Sequence, residues 1–187
     1  MTDRCFVAVD IEGLELMEAF IRAQKIIVST GADVKCVEPE NIHFTLKFLG
    51  EVPEEKSVQV AEVIRRIEFE PFTLRFRGVG VFPNLSRPSV IWVGATGEVQ
   101  KMFAIHSELE INLKRLGFES EQKSFQPHAT ICRVKSGKNK AKLAEAVASM
   151  ETVLFGELKV EHIKLKKSVL TNSGPIYSTI AKSTSRE

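Results

Sequence analysis

Cysteine is scarce. The 187 residues hold three, Cys5, Cys36 and Cys132, widely spaced and without a Cys-x-x-Cys pair. An odd, scattered set speaks against a disulfide framework and a structural zinc site, and for reducing surroundings. No His-x-x-x-His and no acidic cluster at ligand spacing occurs either, so neither a metal nor a cofactor is expected. No apolar run approaches the length that spans a bilayer. The opening Met1-Thr2-Asp3-Arg4-Cys5-Phe6 lacks the long apolar core of a signal peptide. A soluble, cytoplasmic protein without a membrane partner is expected. An excess of one charge is missing too: 26 Lys and Arg face 24 Asp and Glu, for a net +2. The global balance therefore announces no nucleic-acid binder, and the basic residues around Lys135 to Lys142 and Lys159 to Lys167 read first as solvated surface.

What is present is an ordinary globular composition, 43% hydrophobic and 27% charged, in a chain long enough to bury a full core. Cys5 to Ile11 is nearly all apolar, as a strand covered on both faces would be. Leu14 to Val28 carries apolar residues at helical spacing and ends at Gly31. Val34 to Val37 is a short strand. Pro53-Glu54-Glu55 starts a second helix, with Pro and acids in its first turn. Phe72 to Val79 alternates as a strand. Val81 to Arg87 reads as a loop and Pro88 to Val93 as another strand. Glu98 to Leu116 and Lys138 to Met150 are helices. Leu154 to Leu170 has a strand pattern, Thr171 to Pro175 a tight turn, and Ile176 to Ala181 the last strand. The polar tail, Lys182 to Glu187, is expected to fray.

Two stretches stand apart. In Asn41-Ile42-His43-Phe44-Thr45-Leu46-Lys47-Phe48-Leu49-Gly50, period-two alternation sets Ile42, Phe44, Leu46 and Phe48 on one face and His43, Thr45 and Lys47 on the other. An imidazole, a hydroxyl and an ammonium in a row suit a phosphate better than a protein interior. Pro127-His128-Ala129-Thr130-Ile131-Cys132-Arg133 repeats the pattern, with His128, Thr130 and Cys132 sharing a face. One His-x-Thr among four His is unremarkable; two, each followed by an aliphatic residue, are not. The two motif His lie 85 residues apart, and the same offset carries Cys5 to Val90, where the second leading apolar strand lies. Leu74 and Phe76 match Leu158 and Val160 at nearly that offset. The expectation is an internal duplication, with halves 4–80 and 88–165 and a C-terminal hairpin 160–182, forming a single bilobal domain over 1–187. A pseudo-two-fold axis would set the two His on opposite sides of one cleft. They could then serve as general acid and general base, with Thr45 and Thr130 donating to the non-bridging oxygens of a phosphate. His106, within a helix, reads as a surface or boundary residue, and His162 as structural.

These paired motifs, with the start Arg-Cys-Phe-Val-Ala-Val-Asp and the middle Val-Phe-Pro-Asn and Val-Ile-Trp-Val-Gly, resemble the 2H phosphoesterase superfamily over essentially the whole chain. Within it, they resemble the RNA 2′,3′-cyclic phosphodiesterases, first described as 2′-5′ RNA ligases. The resemblance implies an α+β fold: a bilobal duplicated unit, two antiparallel sheets flanking a central cleft, helices outside. It implies metal-independent hydrolysis of a 2′,3′-cyclic phosphate to a 2′-phosphomonoester, with His43 the proton donor and His128 the acceptor, roles that the near-identical motifs alone leave open. It implies as partner RNA with 2′,3′-cyclic phosphate ends, tRNA-derived RNA included, and a monomer. Arg133, which follows the second motif as in the family, is expected to contact phosphate. Lys47 and Phe48 are further substrate-binding candidates, although alternation sends Phe48 into the core. Two other readings stay open: 2′-5′ ligation through the same site, and a non-catalytic RNA- or nucleotide-binding module.

Overall fold

The computed structural model describes residues 2–121, 124–172 and 174–186. Ser173 of the expected turn, Gln122 and Lys123 of the connection before Phe125, and Glu187 of the tail lie outside the described residues. In chain order the elements are β1 (Thr2–Asp10), α1 (Leu14–Ser29), β2 (Val34–Cys36), β3 (His43–Pro53), α2 (Glu54–Arg66), β4 (Glu68–Phe69), β5 (Phe72–Phe82), β6 (Val90–Gly97), α3 (Val99–Arg115), β7 (His128–Val134), α4 (Lys140–Ser149), β8 (Leu154–Val160), β9 (Lys164–Thr171), β10 (Gly174–Lys182) and β11 (Thr184–Ser185).

Each helix buries one stripe. Leu16, Ala19, Phe20, Ala23 and Ile27 of α1 are spaced three and four apart, as are Val60, Ala61 and Ile64 of α2, Met102, Ile105, Leu109 and Leu113 of α3, and Leu143 and Val147 of α4. These stripes pack on a sheet of order β10-β9-β1-β3-β7-β6-β5-β8, with β2 alongside β7. The two expected sheets are thus the two arms of one surface. β3 and β7 meet through a single antiparallel pair, Phe44 with Ala129. α2 packs on β1, β3, β9 and β10 and against α3; α1 packs on β7 and β8 and against α4. The fold class read from the sequence, α+β with an antiparallel cleft and outer helices, is the one observed.

Four sequence expectations change. The Leu154–Leu170 pattern is two strands, β8 and β9, which lie at opposite ends of the sheet. Leu74 and Leu158 are cross-strand partners in one arm, so β8 is not the counterpart of β5. By position in the sheet that counterpart is β9: β5 borders the leading strand β6, and β9 borders the leading strand β1. The cysteine reading also fails. Cys36 and Cys132 are cross-strand partners of β2 and β7 and form a disulfide, leaving Cys5 as a buried free thiol. Cysteine usage therefore no longer argues for reducing surroundings. Lastly, the tail is pinned. β11 pairs in parallel with β4, the Ser183 hydroxyl accepts from Ile163 N–H at 2.9 Å, and Arg186 N–H donates to Phe69 O at 3.0 Å. His162 Nδ1–H donates to Ser183 O at 2.9 Å, in keeping with a structural role. Among the described residues no helix is long and apolar enough to cross a membrane.

Phe44 is fully buried at the junction of the arms, with its ring 6.0 Å from that of Phe125. Phe44→Ala is expected to destabilise the protein by about 3–5 kcal/mol, the range for deleting a buried aromatic ring. Urea titration would show this as a lower midpoint at unchanged slope; a midpoint within experimental error of the parent would show that the junction does not depend on this ring.

Candidate active site

The site is built from β3 and β7 where they touch. An antiparallel register centred on Phe44–Ala129 sets His43 toward Thr130 and Thr45 toward His128. Directly opposed side chains of such a pair stand roughly 5 Å apart at Cβ, and residues two apart on one strand share a face. Two imidazoles and two hydroxyls thus form the corners of a small quadrilateral on the face away from the helices. All four side chains line one cleft of about 580 Å³. A second, shallower hollow of about 710 Å³ lies over the tail, around His162 and Ser183, and contains none of them.

Both rings are held the same way. His43 Nδ1 lies 2.7 Å from Asn41 O and His128 Nδ1 lies 2.6 Å from Gln126 O, in each case the carbonyl two residues upstream. A carbonyl oxygen only accepts, so each Nδ1 carries its hydrogen and Nε2 is the nitrogen left for chemistry. Burial lowers the pKa of both, because it disfavours the imidazolium. At His43 the contact to Asn41 and the carboxylate of Asp10 oppose that trend, while Lys166 and Arg133 add to it.

The walls differ. His43 is boxed by Phe6 (ring centroids 4.8 Å apart) and Tyr177 (5.3 Å). Asp10, its cross-strand partner, binds the ammoniums of Lys164 and Lys166, and Lys166 Nζ lies 6.0 Å from the Tyr177 ring centre. Burial alone would raise the Asp10 pKa, but the two lysines outweigh it and hold the carboxyl below its ordinary value. His128 instead meets Phe82 (5.0 Å) and Trp92 (6.1 Å). The Trp92 indole lies flat over Gly80, where a Cβ would come within 2.3 Å of the ring, so that position accepts no larger residue with the indole in place.

Two β-bulges decide which later residues join the cleft. Opposite Val7 and Ala8, β3 presents Lys47 and Thr45, leaving Leu46 unpaired. Opposite Ile91 and Trp92, β7 presents Cys132 and Thr130, leaving Ile131 unpaired. A bulge resets alternation. Lys47 therefore turns inward: it is 2% exposed, bound to the carboxylate of Glu110 and donating to Glu119 O at 2.9 Å. That removes it as a substrate-binding candidate. Phe48 takes its place in the cleft, 63% exposed, rather than in the core. On β7, Cys132 turns inward to Cys36 and Arg133 lines the cleft. The cleft sets His43, Thr45 and Phe48 from β3 beside His128, Thr130 and Arg133 from β7. His106 is half-buried, stacked on Phe125 at 4.1 Å, and outside this group.

Sequence reasoning missed Tyr177, Lys35 and the placement of Lys135. Tyr177 is the only tyrosine of the chain, on a strand far from both motifs, and nothing local marks it. Among the described residues, no three His, Cys, Asp or Glu side chains come together as a metal could require.

Comparison with known proteins agrees. The model of the family described as LigT like phosphoesterase matches twice, over residues 15–92 and 93–177. An RNA 2′,3′-cyclic phosphodiesterase of Methanothermobacter thermautotrophicus is 41% identical over 182 residues, 95% of this chain and 96% of the relative. Another bearing that name, from Aeropyrum pernix, is 40% identical over 159 residues, 85% and 90% of the two chains. A crystal structure of a Thermus thermophilus protein superposes with a TM-score of 0.77 at 32% identity, covering 96% of each chain. Escherichia coli LigT in apo form shares the fold, with a TM-score of 0.78 at 24% identity over 100% of this chain and 99% of the other. With both halves of the sequence matched by one family model, and such relatives along most of its length, the chain belongs to the LigT like phosphoesterases of the 2H superfamily.

Proposed function

We propose that the protein hydrolyses the 2′,3′-cyclic phosphate at an RNA end to a 2′-phosphomonoester, without a metal, by acid-base catalysis between His43 and His128. The observation that carries this reading is the matched pair of imidazoles. Each is fixed through Nδ1 to a main-chain carbonyl, and the two flank the one point where β3 meets β7. The names of the relatives supply the substrate class. In the step, neutral His128 takes a proton from water through Nε2 as the water oxygen bonds to phosphorus. The P–O3′ bond breaks on the far side, and protonated His43 gives its Nε2 proton to the departing O3′. The hydroxyls of Thr45 and Thr130 and the guanidinium of Arg133 donate to the non-bridging oxygens, where charge accumulates. The exposed Phe48 ring and Tyr177 offer faces on which the terminal base stacks. The reading takes the expected halves, 4–80 and 88–165, as copies of one unit with the second extended through β9, which replaces β8 as the match of β5; the double family match supports two copies.

Product analysis on a nucleoside 2′,3′-cyclic phosphate in the presence of a strong chelator tests the reaction: the 2′-monophosphate is expected at the chelator-free rate. Loss of turnover that a divalent ion restores would overturn the metal-free scheme. His43→Ala and His128→Ala are each expected to lose ~10²–10⁴-fold in kcat. A substrate with sulfur at the 3′ leaving position separates the roles, because a thiolate departs without a proton. It is expected to restore much of the loss in His43→Ala and none in His128→Ala; the reverse pattern would exchange acid and base.

The depressed pKa values give a sign to the pH dependence. Rate rises with pH as the base loses its proton and falls as the acid loses its own, so the profile is a bell that reports the coupled pair. With both groups lowered by burial, the kcat/KM bell of the free enzyme is expected on the acid side of the ordinary His range near 6.5. A bound phosphate anion favours the imidazolium, so the kcat bell is expected at higher pH than the kcat/KM bell. Coincident bells would show that the phosphate charge does not reach the imidazoles.

A further inference from the structure

Ten of the Lys and Arg side chains are held by carboxylates among the described residues. Lys47, Lys164, Lys166, Lys167, Arg75 and Arg186, among others, each sit within ion-pair distance of a carboxylate. Arg4, Lys35, Arg133 and Lys135 line the cleft, and among the described residues none of their side chains has a hydrogen bond or ion pair to another residue. Among the described residues, Glu38 is the only carboxylate in that lining.

Three of these cations form a row. Lys35 of β2 is the cross-strand partner of Arg133 of β7, so their side chains stand on one face about 5 Å apart at Cβ. Lys135 lies two residues beyond Arg133, hence on the same face and roughly 7 Å further along. Its N–H donates to Asp33 O at 2.8 Å, which carries the ribbon pairing to that point. Asp33 stands opposite but forms no ion pair with it. The row runs from the His128–Thr130 corner outward to the cleft mouth. The facing wall is of another kind, with Phe6, Phe48, Leu170, Pro175 and Tyr177. A terminal nucleotide with a cyclic phosphate needs one apolar wall for its base and one cation, Arg133, beside its phosphate. Lys35 and Lys135 exceed that need and carry the row of positive charge beyond Arg133.

We infer that Lys35 and Lys135 form a second phosphate site, which takes the phosphodiester on the 5′ side of the terminal nucleotide. The protein therefore prefers the end of a polynucleotide to a lone nucleoside cyclic phosphate. The inference rests on the hydrolytic reading above and goes beyond it, since the reacting phosphate alone does not call for these lysines.

The test compares a nucleoside 2′,3′-cyclic phosphate with a dinucleotide that carries the same terminus, its upstream sugar 2′-deoxy so that the internal linkage is inert. A third substrate replaces the internal phosphodiester with an uncharged methylphosphonate. Wild type is expected to favour the charged dinucleotide in kcat/KM. Its log–log salt dependence should be steeper there by about 0.7, the slope for one more neutralised phosphate in a single strand. Lys35→Ala and Lys135→Ala are each expected to lose about 5–10-fold on the charged dinucleotide, near the effect of one phosphate-contacting lysine, and less than about 2-fold on the other two substrates. Lysine-to-arginine variants should keep the preference. Equal losses on all three substrates, or a methylphosphonate as good as the phosphodiester, would overturn the second site while leaving the hydrolytic reading intact. Turnover of none of the three by wild type would instead overturn the hydrolytic reading. The second site is then decided by titrating the dinucleotide 2′-monophosphate and its methylphosphonate analogue for binding: weaker binding of the former to the alanine variants alone sustains it, and equal affinities overturn it.

Discussion

Phe44 and Ala129 pair main chain to main chain, and this one contact turns two arms of strands into one sheet. Because it is a single pair, the strands separate on either side of it. The space they leave is the cleft, and the residues flanking the pair, His43 with Thr45 and His128 with Thr130, line it. The distance between the two imidazoles is therefore set by backbone hydrogen-bonding geometry and not by the packing of long side chains. Geometry so determined suits proton transfers that fail when a group is misplaced by an ångström. The Phe44 ring and the small Ala129 face the helices, where helix packing holds the contact closed. The chemistry and the core thus occupy opposite faces of the same two strands.

Much of this was legible in the sequence, and the reason is periodicity. His43 and Thr45, like His128 and Thr130, fall two apart in runs whose other face is Ile42 and Phe44, or Ala129 and Ile131. The strand geometry follows from that pattern alone. Helix stripes at three- and four-residue spacing were equally visible in α1 to α4. The failures within the two motif strands share one cause, which is that alternation holds only while pairing is regular. Leu46 and Ile131 are each an extra residue in the ladder, and neither is a Gly or a Pro that would announce it. After each bulge the faces exchange. The charged Lys47 goes inward to Glu110, the apolar Phe48 goes out to the cleft, and Cys132 turns to Cys36. The two bulges occupy equivalent places, so Phe48 and Arg133 are also 85 residues apart. An aromatic ring in one arm stands where the other arm has a guanidinium.

Long-range pairings were beyond the reach of spacing. Cys36 meets Cys132 across 96 residues because β2 pairs on β7, and the sequence carries no local sign of that pairing. The same holds for β11 on β4, which turns a polar tail into a pinned strand. The offset that linked Leu74 to Leu158 had a physical origin other than the one it suggested. Both residues are apolar because they face each other across β5 and β8, not because they hold equivalent places in two copies.

The arms diverge most beside the two His. Asp10 faces His43 across the β1–β3 pair, whereas His128 faces Gly94 across the β6–β7 pair, so the other arm has no such carboxylate. Asp10 binds Lys166, which is only 8% exposed. A buried ammonium without its carboxylate would cost several kcal/mol, and it would stand unscreened next to His43, where it would disfavour the imidazolium. Paired, Lys166 is neutralised locally, and its charge reaches His43 only as the remainder after Asp10 is counted. His128 faces no comparable group: aromatic rings surround it, and burial sets its pKa with only the Gln126 carbonyl in opposition. Burial lowers the pKa of both rings, and only at His43 do charged neighbours, Lys166, Asp10 and Arg133, act as well. Two near-identical motifs on one scaffold thus place their histidines in unlike electrostatic surroundings.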